Sequence, residues 1–291
     1  MDTITHTLFG IGLYKAINKE NMNESEKRAL LVTAIAGSQI PDIDVISKWW
    51  DTNGQYQMWH RGITHSIALV PVWAFLLTIL NYIIFRVKST HLFLIAALAV
   101  FIHDTSDVFN AWGTGYLEPF SNARLTLGTI SIIDFVIWFI FLAVFLLSKR
   151  RKLQKEYQLY RIGWVVIVLH VIVQSVQGYV LYEQHKHDYD QLALSADFIP
   201  WHYTIIGKKD GTVEIISDSL VTEKQLKERL YSNEEADLSE LFARNPKAKT
   251  LVEWSPFVVI EQTDERIGVY DPRFYRNGQS FLFEYMERNQ P

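Results

Sequence analysis

Histidine and aspartate residues recur in short groups through the first half of the chain, and these residues are the best able to do chemistry. His103 and Asp107 are four residues apart, so both would project from one face of a helix. Asp104 lies about 100° around that helix from His103 and is the weaker candidate. Asp42 and Asp44 follow a proline, in a turn where both carboxylates could point inward. Because the chain contains no cysteine, a metal site would have to use His, Asp or Glu.

The candidate ligands mix imidazole with carboxylate, a combination that suits zinc or another divalent transition metal. They are His6, Asp42, Asp44, His60, His65, His103 and Asp107. These residues cannot all bind one ion, so we expect either two metals or some residues that only orient the ligands. One isolated pair could be structural or belong to a proton path, but the whole set favours a metal site.

Three further residues fit a hydrolytic site. Asp134 could be a ligand or a proton acceptor, and Arg61 and Arg124 could bind an anionic phosphate through their planar guanidinium groups. Both arginines have an alternative interpretation as surface residues near lipid headgroups. A bound metal would lower the pKa of a water molecule and polarise an ester. The residues therefore predict metal-assisted hydrolysis of a phosphoester.

Long apolar segments must position these residues. A bilayer core needs about 20 predominantly apolar residues per helix. Four segments qualify or nearly do, namely residues 63–85, 92–102 with their flanks, 130–147 and 162–182. Two shorter stretches, residues 4–17 and 29–40, could be re-entrant or partly inserted. We therefore expect an α-helical polytopic membrane domain over residues 1–184, with four strong spanning helices plus two short N-terminal membrane segments.

Basic residues set the expected orientation, because Lys and Arg accumulate in cytoplasmic loops. They are concentrated at residues 15–28, 86–88 and 149–161, and these connections alternate with connections poorer in positive charge. This alternation predicts a cell-membrane protein whose N-terminus and C-terminal domain are both extracytoplasmic. The His and Asp groups would then share the outer face of the membrane.

A small extracytoplasmic α+β domain is predicted over residues 185–291. Residues 201–206, 212–216, 251–261 and 281–285 have strand-like composition, and 223–231 and 234–242 have helix-like patterns. Lys209, Asp210 and Gly211 between the first two strands are a hairpin signal. No catalytic motif is evident in this domain.

The His and Asp groups resemble the motifs of the YdjM-like family, described as membrane-bound metal-dependent hydrolases and as LexA-binding inner-membrane proteins. The matching segments are residues 1–6, 41–44, 60–66 and 103–107, and a fifth match runs through 112–114, 119–121, Arg124 and Asp134. The resemblance implies a metal-dependent hydrolase. A more distant similarity is to zinc-dependent phospholipase C, in which a helical scaffold surrounds clustered metals.

Taken together, the sequence predicts a membrane-bound hydrolase that uses zinc or a similar ion on a lipid or lipid-linked phosphate at the outer face. The expected partners are the lipid bilayer and that substrate; no run of basic residues suggests nucleic acid. One alternative is a regulatory or partner-binding membrane protein with a structural metal site. Another is an ion or proton transporter, although the apolar residues 92–102 offer no polar pathway.

Overall fold

The computed structural model describes residues 1–151 and 155–288. The chain divides into two compact units, Met1–Asp44 with Arg61–Ser175 and Val45–His60 with Val176–Pro291. The helices are α1 Thr3–Lys15, α2 Glu24–Gly37, α3 Tyr56–Trp59, α4 Val70–Phe85, α5 Thr90–Val108, α6 Phe135–Arg151, α7 Glu156–His185, α8 Ser239–Arg244 and α9 Pro246–Trp254. Short 3-10 helices cover Ile40–Trp49, Ile63–His65, Ile67–Leu69 and Pro272–Phe274.

Three helical stretches of the described chain are long and apolar enough to cross a membrane, namely Ile67–Phe85, Thr90–Val108 and Glu156–His185. A fourth is possible if α2 and the 3-10 helix Ile40–Trp49, which are bent by 53° relative to each other, form one broken span. Helix α6 has 17 described residues, and at 1.5 Å per residue it measures roughly 26 Å, slightly less than a bilayer core.

These helices confirm a helical N-terminal region with about three to four candidate spans, but not the full predicted count. The second short stretch does not continue straight to its proline, because α2 ends at Gly37 and the chain turns into a 3-10 helix. Lys152, in the connection predicted to be cytoplasmic, lies outside the described residues.

Small residues bring the helices of the first unit close together. A Cβ added at Gly10 of α1 would lie 2.9 Å from the backbone oxygen of Ala34 in α2. One added at Gly37 of α2 would lie 2.8 Å from the Cβ of Ala99 in α5. Such close approach is typical of helices packed within membranes. It fixes the C-terminal end of α2 beside α5, where the candidate ligands lie.

The second unit is rich in antiparallel strands, which confirms the predicted small β-containing domain. The strands are β1 Gln191–Ala196, β2 Tyr203–Lys209, β3 Thr212–Ser219, β4 Thr222–Tyr231, β5 Val259–Gln262, β6 Arg266–Tyr270, β7 Tyr275–Arg276, β8 Gln279–Ser280 and β9 Phe283–Glu287. They form sheets in the orders β1-β2-β3-β4, β5-β6-β9 and β7-β8. The predicted hairpin joins β2 to β3, where Gly211 supplies the positive φ of +71° that the turn requires.

Two local predictions in this unit are wrong, and the helix predicted over residues 234–242 is displaced to α8, Ser239–Arg244. Residues 223–231, predicted as a helix, lie in β4, because pairing with β3 satisfies their backbone groups in a sheet. Residues 251–261, predicted as a strand, begin inside helix α9 and reach β5 only at Val259. The side chain of Asn245 accepts a hydrogen bond from the backbone of Lys247, and Pro246 occupies the first helical turn, so α9 has a regular helix start.

Candidate metal centre

The first unit brings four predicted ligands to one end of its helices. Asp42 follows the break after α2, and His65 ends the 3-10 helix that precedes α4. His103 and Asp107 lie in the last turns of α5 and, as their spacing predicts, project from the same face. Their side chains are buried except for that of Asp42, which is 19% exposed.

The distances between these four side chains fit a single ion. His65 Nε2 lies 3.2 Å from His103 Nε2, 3.3 Å from Asp42 Oδ1 and 3.5 Å from Asp107 Oδ2. His103 Nε2 lies 3.7 Å from Asp42 Oδ1 and 3.8 Å from Asp107 Oδ2. Tetrahedral zinc with bonds of about 2.0–2.2 Å would place its ligand atoms roughly 3.4 Å apart. The group therefore could hold a metal ion.

Hydrogen bonds on the far side of each ring support this fit. The Nδ1 atom of His103 lies 2.8 Å from the backbone oxygen of Ser38, so Nδ1 carries the proton and Nε2 presents a lone pair. The Nδ1 atom of His65 lies 3.4 Å from Asp44 Oδ2 and 3.1 Å from Thr64 Oγ1. The two Nε2 atoms lie 3.2 Å apart, beside two carboxylates. A proton on one nitrogen, or a metal cation between the two, would satisfy this contact.

Asp44 lies behind His65, on the opposite side of the ring from His103. Its Oδ2 atom accepts hydrogen bonds from the backbone N–H of Arg61 at 3.0 Å and the hydroxyl of Thr64 at 2.7 Å. Arg61 has a φ of 57°, an unusual value for a residue with a side chain, and this turn lets its backbone reach Asp44. The contacts of Asp44 suit a residue that orients an imidazole ligand.

Asp107 is shared between the ligand group and several positive groups. Its Oδ1 atom contacts the amino group of Met1, and its Oδ2 atom lies 3.1 Å from Arg61 Nε. The guanidinium of Arg61 also donates to Asn110 Oδ1 at 2.8 Å and to the backbone oxygen of Met1 at 3.1 Å. Arg61 is buried and oriented by the protein, so its contacts identify it as a partner of Asp107.

His6 of α1 lies beside the group of four ligands but outside it. Its ring stacks on that of His103 with centroids 3.7 Å apart, and its Nε2 atom lies 3.3 Å from Asp107 Oδ1. Within the described chain neither ring nitrogen of His6 has a hydrogen-bond partner, although the residue is fully buried. Its nearest carboxylate is therefore that of Asp107, at 3.3 Å from Nε2.

Two further predicted site residues, His60 and Asp134, make contacts of their own. His60 belongs to the second unit, where it follows α3 and stacks on Tyr56. Asp134 caps α6 by accepting from the backbone of Val136 and Ile137, and its other oxygen lies 2.9 Å from His170 Nε2.

Arg124 lies close to the ligand-bearing turn. Its Nη1 atom donates to the backbone oxygen of Arg61 at 3.1 Å, and burial lowers the pKa of its guanidinium.

The pKa of His65 is subject to opposing effects. Burial lowers this pKa, but hydrogen bonds with Asp42 and Asp44 outweigh burial and raise the pKa above its ordinary value.

Two contributors escaped prediction from the sequence. The backbone oxygen of Ser38 carries no signal in its residue type, because any residue at that helix end offers a carbonyl. Thr64 is adjacent to His65 in the sequence, and its hydroxyl could have been suspected on that ground alone.

Asp104, the weaker candidate, is fully buried, and neither carboxylate oxygen has a hydrogen-bond partner among the described residues.

Residues 1–181 match the model of a protein family described as YdjM inner membrane protein. The chain belongs to the YdjM family. The uncharacterized protein YfhP of Bacillus subtilis (strain 168) is 37% identical to it over 138 residues, which are 46% of this chain and 42% of YfhP. The match thus spans less than half the length of that relative.

No solved structure matches this chain, and the similarity to zinc-dependent phospholipase C is not confirmed. The YdjM family and the candidate spans together identify a membrane protein with a possible metal-binding site.

Proposed function

We propose that this YdjM-family protein is a metal-dependent hydrolase that acts on a phosphoester of a lipid or lipid-linked substrate. The observation that carries the proposal is the convergence of Asp42, His65, His103 and Asp107 at one end of the membrane helices. Ionisable groups at membrane depth are costly unless they are paired, bind metal or serve a function. Zinc is the ion we expect, and when bound it supplies Lewis-acid chemistry.

Each residue of the candidate site would have a defined role. His65 and His103 would hold the ion, and Asp44 and the Ser38 carbonyl would orient their rings. Arg61 is engaged by Asp107, so we assign it the positioning of that carboxylate. Arg124 is the better candidate to contact the phosphate.

We also propose that the centre faces the outer side of the membrane, with the N-terminus and the second unit extracytoplasmic. The support is the alternation of basic and less basic connections along the sequence. A site at headgroup depth would meet a lipid phosphate without drawing the lipid fully out of the bilayer.

Metal analysis of the purified protein, followed by a hydrolysis screen, tests this function. The protein should hold zinc or a similar ion near or above one equivalent and should cleave a phospholipid, a polyprenyl phosphate or a soluble phosphodiester. A chelator should abolish cleavage. Arg124→Ala should lower the turnover number while metal content stays unchanged, because arginine is not a metal ligand at neutral pH.

Arg124→Lys is the matched variant, since it keeps a positive charge but loses the planar pair of donors. Partial activity in Arg124→Lys and little in Arg124→Ala supports phosphate contact. A metal-loaded preparation that cleaves none of these substrates would refute phosphoester hydrolysis.

One observation favours the second function, a regulatory or partner-binding membrane protein with a structural metal. Four protein ligands complete a tetrahedron, which is typical of structural zinc sites, whereas catalytic sites keep one position open. Removing the metal from such a protein would lower its folding stability. It would have no catalytic activity to lose.

A further inference from the structure

An apolar cavity of about 310 Å³ lies between α1, α5, α6 and α7 in the first unit. Val171 is one of its lining residues, and the lining includes the hydroxyl residues Thr105 and Ser106. Both hydroxyls are hydrogen bonded elsewhere, Thr105 to Tyr116 at 3.0 Å and Ser106 to the backbone oxygen of His103 at 2.8 Å. The cavity therefore presents an apolar surface to any ligand. Its volume is near the lower limit of known ligand pockets.

The cavity and the candidate metal centre share a wall. Ser106 lines the cavity and directly precedes Asp107 in α5. Met1 lines the cavity too, while its amino group contacts the carboxylate of Asp107. A molecule in the cavity would thus extend to within one residue of the metal ligands.

The cavity also opens toward the surface that the candidate spans present to lipid. Phe101 of α5 and Ile172 of α7 are lining residues that are 41% and 52% exposed. Both helices are long and apolar enough to cross a membrane, so this rim would lie in the hydrocarbon region. A hydrocarbon chain could enter sideways from the bilayer.

We propose that this cavity binds one hydrocarbon chain of the substrate lipid while the phosphate of its headgroup lies at the metal centre. The inference rests on the proposed hydrolytic function and deepens it, because it makes the substrate a lipid with at least one long chain. Met1 and Ser106, which border both the cavity and the metal centre, would fix the position of the hydrocarbon chain relative to the headgroup. A soluble phosphoester would leave the cavity without an occupant and should be a poor substrate.

Photocrosslinking of the full-length, metal-loaded protein in nanodiscs tests the proposal. The probe is phosphatidylcholine that carries a diazirine in the middle of one acyl chain. Crosslinked peptides should map to the cavity-lining parts of α5 and α7. Val171→Trp, which fills the cavity, should lower this yield by about tenfold or more, the scale of a misfit in an apolar pocket.

Val173→Trp is the matched control, because Val173 is 49% exposed on the same helix and does not line the cavity. Its crosslinking yield should equal that of the wild type. Crosslinks spread evenly over the lipid-facing helices, or equal yields from both tryptophan variants, would overturn the proposal. Crosslinks between protein copies at the cavity would overturn it as well, because a second copy would then be the occupant.

The two proposals fail in different ways. Specific crosslinking without hydrolysis of any ester would keep the chain-binding cavity and reject the hydrolase. Hydrolysis of a soluble phosphodiester with even crosslinking would keep the hydrolase and reject the cavity. Val171→Trp should impair cleavage of long-chain lipid esters more than cleavage of bis(p-nitrophenyl) phosphate.

Discussion

Substituting Asp44 by asparagine separates a metal ligand from a residue that orients a ligand. Asp44 Oδ2 lies 3.4 Å from His65 Nδ1 and accepts hydrogen bonds from Arg61 and Thr64. Asparagine keeps the shape and one acceptor oxygen but loses the negative charge that favours a proton on His65 Nδ1. We therefore expect the ion to remain bound, but more weakly.

The size of the effect follows from this position. Loss of an outer partner of a metal-bound histidine typically costs 10–100-fold in metal affinity, or about 1.4–2.8 kcal/mol. Thr64→Val removes the hydroxyl that donates to Asp44 and lies 3.1 Å from His65 Nδ1. Both partners keep their direct contact with each other, so we expect a loss of about 1 kcal/mol and a roughly fivefold fall in affinity. Asp42→Asn removes a ligand atom from the converging group and should cost more than about 100-fold.

Competition against a chromophoric chelator, with the full chain in detergent, measures these affinities on one scale. The order of loss should be Asp42→Asn, then Asp44→Asn, then Thr64→Val. If Asp44→Asn loses as much affinity as Asp42→Asn, Asp44 is itself a ligand. If Asp44→Asn leaves affinity unchanged, the described contact with His65 does not orient that ring.

Three further predictions concern pH, packing and topology. Metal affinity should fall as pH is lowered, beginning above the ordinary histidine pKa of 6.5, because the pKa of His65 is raised and a proton competes with the metal for its nitrogen; titration at several pH values checks this, and a pH-independent affinity contradicts it. His170→Ala leaves Asp134 buried without its ring partner and should lower the free energy of unfolding by about 1–3 kcal/mol with unchanged metal content, whereas loss of metal in this variant would connect Asp134 to the centre. A reporter fused after Gln184 should be extracytoplasmic and one fused near Lys152 cytoplasmic, and the reverse pattern would move the centre to the cytosolic side.

Sequence reasoning could find the candidate ligands because their chemistry and their positions relative to the apolar segments are both local. The spacing of His103 and Asp107 implies a shared helix face, and the structure places both in one group that could hold a metal ion. Sequence reasoning could not tell which of Asp42 and Asp44 is a candidate ligand. The direction of each side chain depends on a 3-10 turn and on contacts with residues far along the chain. Sequence reasoning also could not foresee that Asp134 pairs with His170, 36 residues away.

Strand β4 shows a second limit. Residues 222–231 contain many helix-favouring charged residues, and only Leu230 of the strand is buried. Local propensity therefore favours a helix, yet the strand pairs with β3 from Thr212 to Ser219. Tertiary pairing overrides a weak propensity, and the hydrophobic pattern of an exposed strand carries little information about it.

Asp107 is the residue whose role distinguishes the two proposed functions. If Asp107 binds the ion, four protein ligands surround it, as in structural zinc sites; if Asp107 stays with Arg61, then Asp42, His65 and His103 hold the ion and one position remains open for substrate. The distance of 3.1 Å from Asp107 Oδ2 to Arg61 Nε is shorter than its distances of 3.5 and 3.8 Å to the two histidines.

This geometry favours the open arrangement, which the proposed hydrolase requires. It predicts that Asp107→Asn retains the metal within about tenfold of the wild-type affinity, the lower bound for an orienting partner. The closed arrangement predicts instead a loss as large as that of Asp42→Asn, together with a lower unfolding temperature. The same chelator competition decides between them, because a hydrolase needs the open position whereas a structural centre needs the fourth ligand.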